Sequence, residues 1–344
     1  MAEVSNRITT GLRQENDMQV NLNKWRNHMG LFKKETYLTR YKGNPIITPK
    51  SFPYGHADSV MNCGQIMHEG KTVLLLSVID SAKKMTAIFY AESKDGINFD
   101  IREKPLITGL QDPRFKRLDI HVIDPRLTKI GDTYYIARPG NSESGECIAF
   151  LYRTKDFKEV EFMDCIALPN NRVPSLFPEK INGYYARLDR PYALGAASEK
   201  ASVWLSYSPD LIHWGQHRYL WSGNDNWNWG KIGPTPPLKT PKGWLVIMHG
   251  VCPSCDGYKY SLGAWMLDLN DPSKMIGRIR NYILTPDELY ELVGNVGNVV
   301  FACGAIADED KDQLRVYYGA ADTSICLATG SLSRIIDTCL NEGP

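Results

Sequence analysis

Five side chains able to hold an anion stand at the ends of short apolar or aromatic stretches. Arg172 precedes Val173-Pro-Ser-Leu-Phe177, and Arg190 with Pro191 ends a stretch of Tyr and Leu. Lys231 opens Lys-Ile-Gly-Pro-Thr-Pro-Pro237. His249 closes the apolar run Trp244-Leu-Val-Ile-Met248, and Tyr260 precedes Ser261-Leu-Gly263. Singly, each reads as a solvated cation or a satisfied polar group. Converging on one funnel, they make an oxyanion pocket. Arg supplies planar forked donors and Lys a point charge, a combination suited to phosphate. One acid accompanies them: Asp124, in Ile123-Asp124-Pro125-Arg126. The proline biases the Asp before it to extended backbone and removes a donor after it. The carboxylate is then presented at a strand entrance. The same tripeptide recurs at Asp112-Pro113-Arg114, so Asp-Pro-Arg alone is a weak signal.

Such distant residues meet only if repeated elements bring them together. A small or polar residue followed by a strand rich in Tyr, Trp, Val and Ile starts at Gly70, Gly131, Gly183, Gly243 and Gln313. A second motif, Ser/Thr-x-Asp before an aromatic or apolar residue, appears at Ser93-Lys-Asp95, Thr154-Lys-Asp156 and Ser208-Pro-Asp210. Its Asp can accept backbone N–H bonds two residues on, which makes a turn. Repeats of this length with several short strands predict an all-β fold, a five-bladed β-propeller. No long helix-period segment interrupts them, which argues against an α/β barrel. A propeller brings one or two residues per blade to a single axial funnel. Residues 1–35 are expected to form a partly helical extension and residues 36–344 a single catalytic propeller, with Ser331–Leu340 as a short closing segment.

Composition excludes several other classes. The net charge of +1 over 344 residues gives no support for a nucleic-acid or anionic-membrane partner. No apolar run is long enough to span a bilayer, and the N-terminal residues lack a secretory apolar core. Six of the eight cysteines are scattered or lie in apolar runs, as expected of reduced thiols in a cytoplasmic protein. Cys252-Pro-Ser-Cys255 is the one tight pair, and no second pair or histidine spacing completes a metal site. No nucleotide-type Gly-rich loop appears either. A homo-oligomer remains open.

The chain resembles the mannoside phosphorylases of glycoside hydrolase family 130. The similarity runs from Gly43-Asn-Pro-Ile-Ile-Thr48 to Tyr318-Gly-Ala-Ala-Asp-Thr323. It is carried above all by Leu176-Phe-Pro-Glu-Lys-Ile-Asn182, Tyr260-Ser-Leu-Gly-Ala264, Leu267-Asp-Leu269 and Asn298-Val-Val-Phe301. The resemblance implies a five-bladed propeller with Asp124 as general acid. It implies that Arg172, Arg190, Lys231, His249 and Tyr260 line a phosphate site. Asn62, Asp80 and Asp322 match positions that hold the mannose ring, and Arg126 of the Asp-Pro-Arg is counted with them. Three stretches depart from the family pattern: Ser77-Val-Ile-Asp80, Ala91-Glu92-Ser93, and Ile123 before the acid. They leave the acceptor sugar and the linkage open, β-1,2 or β-1,4, with a slight lean to β-1,2.

Hydrolysis with inversion needs an acid for the leaving group and a base for water. Inorganic phosphate is already an anionic nucleophile, so it needs positioning and charge compensation rather than deprotonation. One protonated carboxyl then suffices. In the family the proton is taken to pass through a mannose hydroxyl to the glycosidic oxygen, and the product is α-mannose 1-phosphate. Phosphate is a cosubstrate, and no cofactor is implied. The alternatives are a mannosyltransferase using GDP-mannose, a β-mannosidase and a noncatalytic mannan-binding propeller.

Overall fold

Each recurring stretch becomes the second strand of an antiparallel sheet. The computed structural model describes residues 36–192, 201–223, 225, 227–255 and 257–344. After the short β1 (Thr39–Arg40), blade 1 contains β2 (Ser59–His68), β3 (Lys71–Asp80), β4 (Met85–Ser93) and β5 (Asp100–Ile101). Blade 2 contains β6 (Arg126–Ile130), β7 (Thr133–Asn141), β8 (Cys147–Thr154) and β9 (Glu161–Ala167). Blade 3 contains β10 (Asn171–Leu176), β11 (Tyr185–Pro191), β12 (Ser202–Ser208) and β13 (Gly215–Ser222). In blade 4, β14 (Ile232–Pro234) and β15 (Leu238–Thr240) both pair with β16 (Gly243–Ser254), followed by β17 (Gly257–Leu267) and β18 (Met275–Arg278). In blade 5, β19 (Val300–Phe301) and β20 (Ile306–Asp308) both pair with β21 (Gln313–Ala320), followed by β22 (Ser324–Ser331). The architecture is a five-bladed β-propeller.

Blades pack face to face, and this explains why their strands lack polar alternation. Thr72–Val78 of β3 is buried throughout, because both faces of the strand are covered. Five apolar clusters fill the five blade junctions. For example, Val60, Leu74, Tyr317 and Ile325 join blades 5 and 1. Leu188, Val203, Trp244 and Trp265 join blades 3 and 4. The turns after β4, β8 and β12 are built as their Asp residues predict. Asp95 accepts from the N–H groups of Ile97 and Asn98 at 2.8 Å, and Asp210 from those of Ile212 and His213 at 2.9 Å. Blade 4 repeats the device with Asp268, a turn the sequence motif did not include.

The ring closes through β1, which pairs with β22 in the register Thr39↔Thr329 and Arg40↔Ala328. This covers part of the outer edge of β22 with a two-residue strand, a short edge of the kind that resists further pairing. Arg40 holds the closure with a bidentate pair to the fully buried Glu291, at 2.7 and 2.8 Å. Glu291 lies on a short helix, α1 (Leu289–Leu292). The closing segment forms a helix, α2 (Leu332–Glu342), which buries Leu332, Ile335, Ile336 and Cys339. Ser331 caps it by accepting from the Arg334 N–H at 3.1 Å. The helical expectation for residues 1–35 lies outside the described residues.

Candidate active site

Two bulges and one loop build the floor of the funnel. The β2–β3 register shifts between Met61 and Gly64, which places Asn62 in the bulge. The β10–β11 register shifts between Arg172 and Ser175, which re-aims Arg172 and Val173. Bulges turn side chains that strict alternation would send elsewhere. Asn62, Asp124, Val173, Ala321 and Asp322 all have left-handed backbone, with φ of 44, 55, 66, 48 and 47°. Left-handed non-glycine residues cost about 1–3 kcal/mol each and gather at functional sites. Asp124 is thus not extended, as the following proline led us to expect. Its N–H donates to Ser77 Oγ at 3.0 Å, and its carbonyl accepts from Arg126 Nη1 at 2.8 Å. These buried bonds outweigh the local preference and point the carboxylate into the funnel.

The carboxylates are tied together by one amide. Asn62 Nδ2 donates to Asp124 Oδ1 at 3.0 Å and to Asp322 Oδ1 at 3.4 Å. Gly319 makes room for it, since a Cβ there would collide with Asn62 Oδ1. Burial first, and then the neighbouring Asp124 charge, push the Asp322 carboxyl up to about 6. The Asp322 carboxyl therefore holds its proton to higher pH than an ordinary carboxyl does.

Facing this pair is a cationic wall. Arg172 Nη2 reaches Asp124 Oδ2 at 3.4 Å. Arg190 Nη1 lies 3.2 Å from His249 Nε2. Arg can only donate, so this imidazole nitrogen accepts, and His249 is neutral with its proton on Nδ1. Burial, and next the Arg190 charge, hold His249 well below its usual range, in agreement. Burial and the Arg172 charge lower Arg190 to about 10. Among the described residues, buried Arg190 Nε and His249 Nδ1 meet no protein acceptor. Unmet buried donors are costly and rare, so both are open to an acceptor atom of a ligand. The close approach of the imidazole depends on Gly233, where a Cβ would strike the His249 ring. Phe301 packs on His249 with ring centroids 4.5 Å apart.

The cavity is about 420 Å³ and is lined by Asn62, Asp124 and Asp322 on one side. Arg172, Arg190, Lys231, His249 and Tyr260 also line it, so eight sequence-predicted residues meet in one place. Two others do not line it. Asp80 is buried at the β3–β4 turn, where Lys83 Nζ lies 3.1 Å from Oδ2 and the Lys83 N–H donates to Oδ1. It shares that corner with His56 and Asp58, turned out of the funnel. Arg126 is buried behind the wall, donating to the Asp124 carbonyl and lying 6.0 Å from the Phe301 ring centroid. It shapes the acid's loop rather than facing the cavity. Sequence reasoning missed His121, Tyr192 and Phe301. The first lies three residues before the acid and the second two after Arg190, and proximity to those motifs was the signal available.

Comparison with known proteins agrees with this geometry. The family model described as β-1,4-mannooligosaccharide phosphorylase, of glycoside hydrolase family 130, matches residues 73–341. The chain is 34% identical over 304 residues to a β-1,4-mannooligosaccharide phosphorylase of Ruminococcus albus, covering 87% of this chain and 89% of that one. It is 38% identical over 257 residues to a β-1,2-mannobiose phosphorylase of Listeria innocua, covering 73% and 69%. The solved structure of a Listeria innocua β-1,2-mannobiose phosphorylase in complex with β-1,2-mannobiose superposes with a TM-score of 0.79 at 31% identity. That match covers 89% of this chain and 99% of the other. The chain belongs to glycoside hydrolase family 130, the family of β-mannoside phosphorylases.

Proposed function

We propose that this enzyme carries out reversible, inverting phosphorolysis of β-1,2- or β-1,4-linked mannosides, releasing α-mannose 1-phosphate. One observation carries the reading. The carboxylates Asp124 and Asp322 stand side by side on a single amide, while the wall facing them is cationic with unmet donors. A hydrolytic acid and base would flank the sugar from opposite faces. Here the face opposite the acid suits an anionic nucleophile that needs no base.

In this reading Arg172, Arg190, Lys231, His249 and Tyr260 hold phosphate in line with the anomeric carbon, and Asn62 and Asp322 hold the mannose ring. A phosphate oxygen forms the new bond to that carbon as the bond to the glycosidic oxygen breaks. Asp124 supplies the proton that the departing oxygen takes up, relayed through a mannose hydroxyl. The forked Arg donors and the Lys charge offset repulsion between phosphate and the acid pair. The test is incubation with β-1,2- and β-1,4-mannobiose, with and without phosphate, followed by product analysis. Mannose 1-phosphate formed only with phosphate is expected. Free mannose released equally fast without phosphate would sink the reading.

Asp322→Asn gives a pH test of the same site. The Asp322 carboxyl, pushed up to about 6, should contribute an ionisation near that pH to the kcat/KM profile, and the substitution should remove it. A profile unchanged around pH 6 would show that this carboxyl does not titrate in the active enzyme. The described residues contain no helix long and apolar enough to cross a membrane.

A further inference from the structure

His121 stands out among the cavity's polar side chains. Asn62, Asp124, Asp322, Arg172, Arg190 and His249 all engage protein groups. Among the described residues, no protein group hydrogen-bonds the His121 imidazole, although it lines the cavity. Burial lowers its proton affinity, opposed by the Asp124 charge, with Arg172 adding a smaller lowering effect. A neutral imidazole offers one donor and one acceptor, which matches a sugar hydroxyl.

The backbone around it is held on both sides. Asp119 forms a fully buried bidentate pair with Arg138 at 2.7 and 2.6 Å and accepts from the Leu110 N–H at 2.9 Å. The Ile120 N–H donates to the Asn141 carbonyl at 3.1 Å, and the Val122 N–H to Thr86 Oγ1 at 2.8 Å. A side chain on so tethered a segment is presented in a fixed place, as a binding group requires. In-line displacement puts the nucleophile and the leaving group on opposite sides of the anomeric carbon. His121 lines the cavity three residues before Asp124 and feels that charge more strongly than the Arg172 charge, which puts it beside the acid, where the leaving sugar would sit.

We propose that His121 binds a hydroxyl of the leaving sugar, which is the acceptor in synthesis, and so selects acceptor and linkage. This rests on the phosphorolysis reading above. The test uses the whole chain in the synthetic direction, with mannose 1-phosphate as donor and mannose as acceptor. His121→Ala should raise the acceptor KM about five- to tenfold, the effect of one neutral hydrogen bond. The KM for mannose 1-phosphate should stay within about twofold, since those contacts are made elsewhere. His121→Gln, which keeps a donor and an acceptor, should recover most of the loss. His121→Leu should not, and it serves should the alanine variant melt early. An unchanged acceptor KM in the folded Ala or Leu variant, or a rise confined to mannose 1-phosphate, overturns the assignment alone. A wild-type chain that makes no mannoside overturns the phosphorolysis reading and the assignment with it.

Discussion

Asp124→Asn should lose about 10²- to 10⁴-fold in kcat, the contribution of a positioned general acid. The substitution keeps shape and leaves Asn62 Nδ2 beside a carbonyl oxygen in place of the carboxylate oxygen it now meets at 3.0 Å. Fold and sugar binding should therefore persist. Arg172, which reaches the same carboxylate at 3.4 Å, loses a counter-charge, so phosphate affinity should not fall. The measurement is steady-state phosphorolysis of mannobiose with both substrates varied, beside a thermal melt. A loss seen in the mannoside KM with kcat intact would assign Asp124 to binding. A substrate with a much better leaving group should narrow the gap between mutant and wild type, because it asks less of the acid.

The second large effect is expected at the cationic wall. Arg190→Ala should raise the KM for phosphate about a hundredfold, since truncating a buried, hydrogen-bonded charge at a binding site costs about 2–5 kcal/mol. Arg190 is buried, its Nε meets no acceptor among the described residues, and Nη1 meets His249. Alanine removes both the charge and the donor that fixes the His249 tautomer. Arg190→Lys should recover little, because a point charge cannot reproduce the planar fork. The readout is the ratio of the two KM values. Phosphate KM should rise strongly and mannoside KM by less than about threefold. An unchanged phosphate KM would remove Arg190 from the anion site.

What was legible in the sequence was what depends on local chemistry. The repeated aromatic strands read as blades because a strand covered on both faces needs an unbroken apolar run, as Val73–Leu76 has. The Asp turns after β4, β8 and β12 read correctly because their bonds close within three residues. Residue types able to hold an anion could be named, and the family resemblance supplied their grouping. Asp80 and Arg126 carry chemistry of the same kind but do not line the cavity. Strand ends near the funnel differ in facing by a single backbone step, and nothing local distinguishes them.

By itself, then, the sequence determined the blade count, the turns and the stock of ionisable groups. The tertiary structure alone decided which of those groups face one another. The bulges at Asn62 and Val173 reverse local alternation, and left-handed backbone at Asp124 opposes the preference its proline sets. Two of these depend on residues distant in the chain, Asp124 on its bond to Ser77 and Asn62 on the room left by Gly319. Only packed blades supply enough buried bonds to sustain such strain. Asp124, Asp322 and the cationic wall therefore come together as a property of the closed ring.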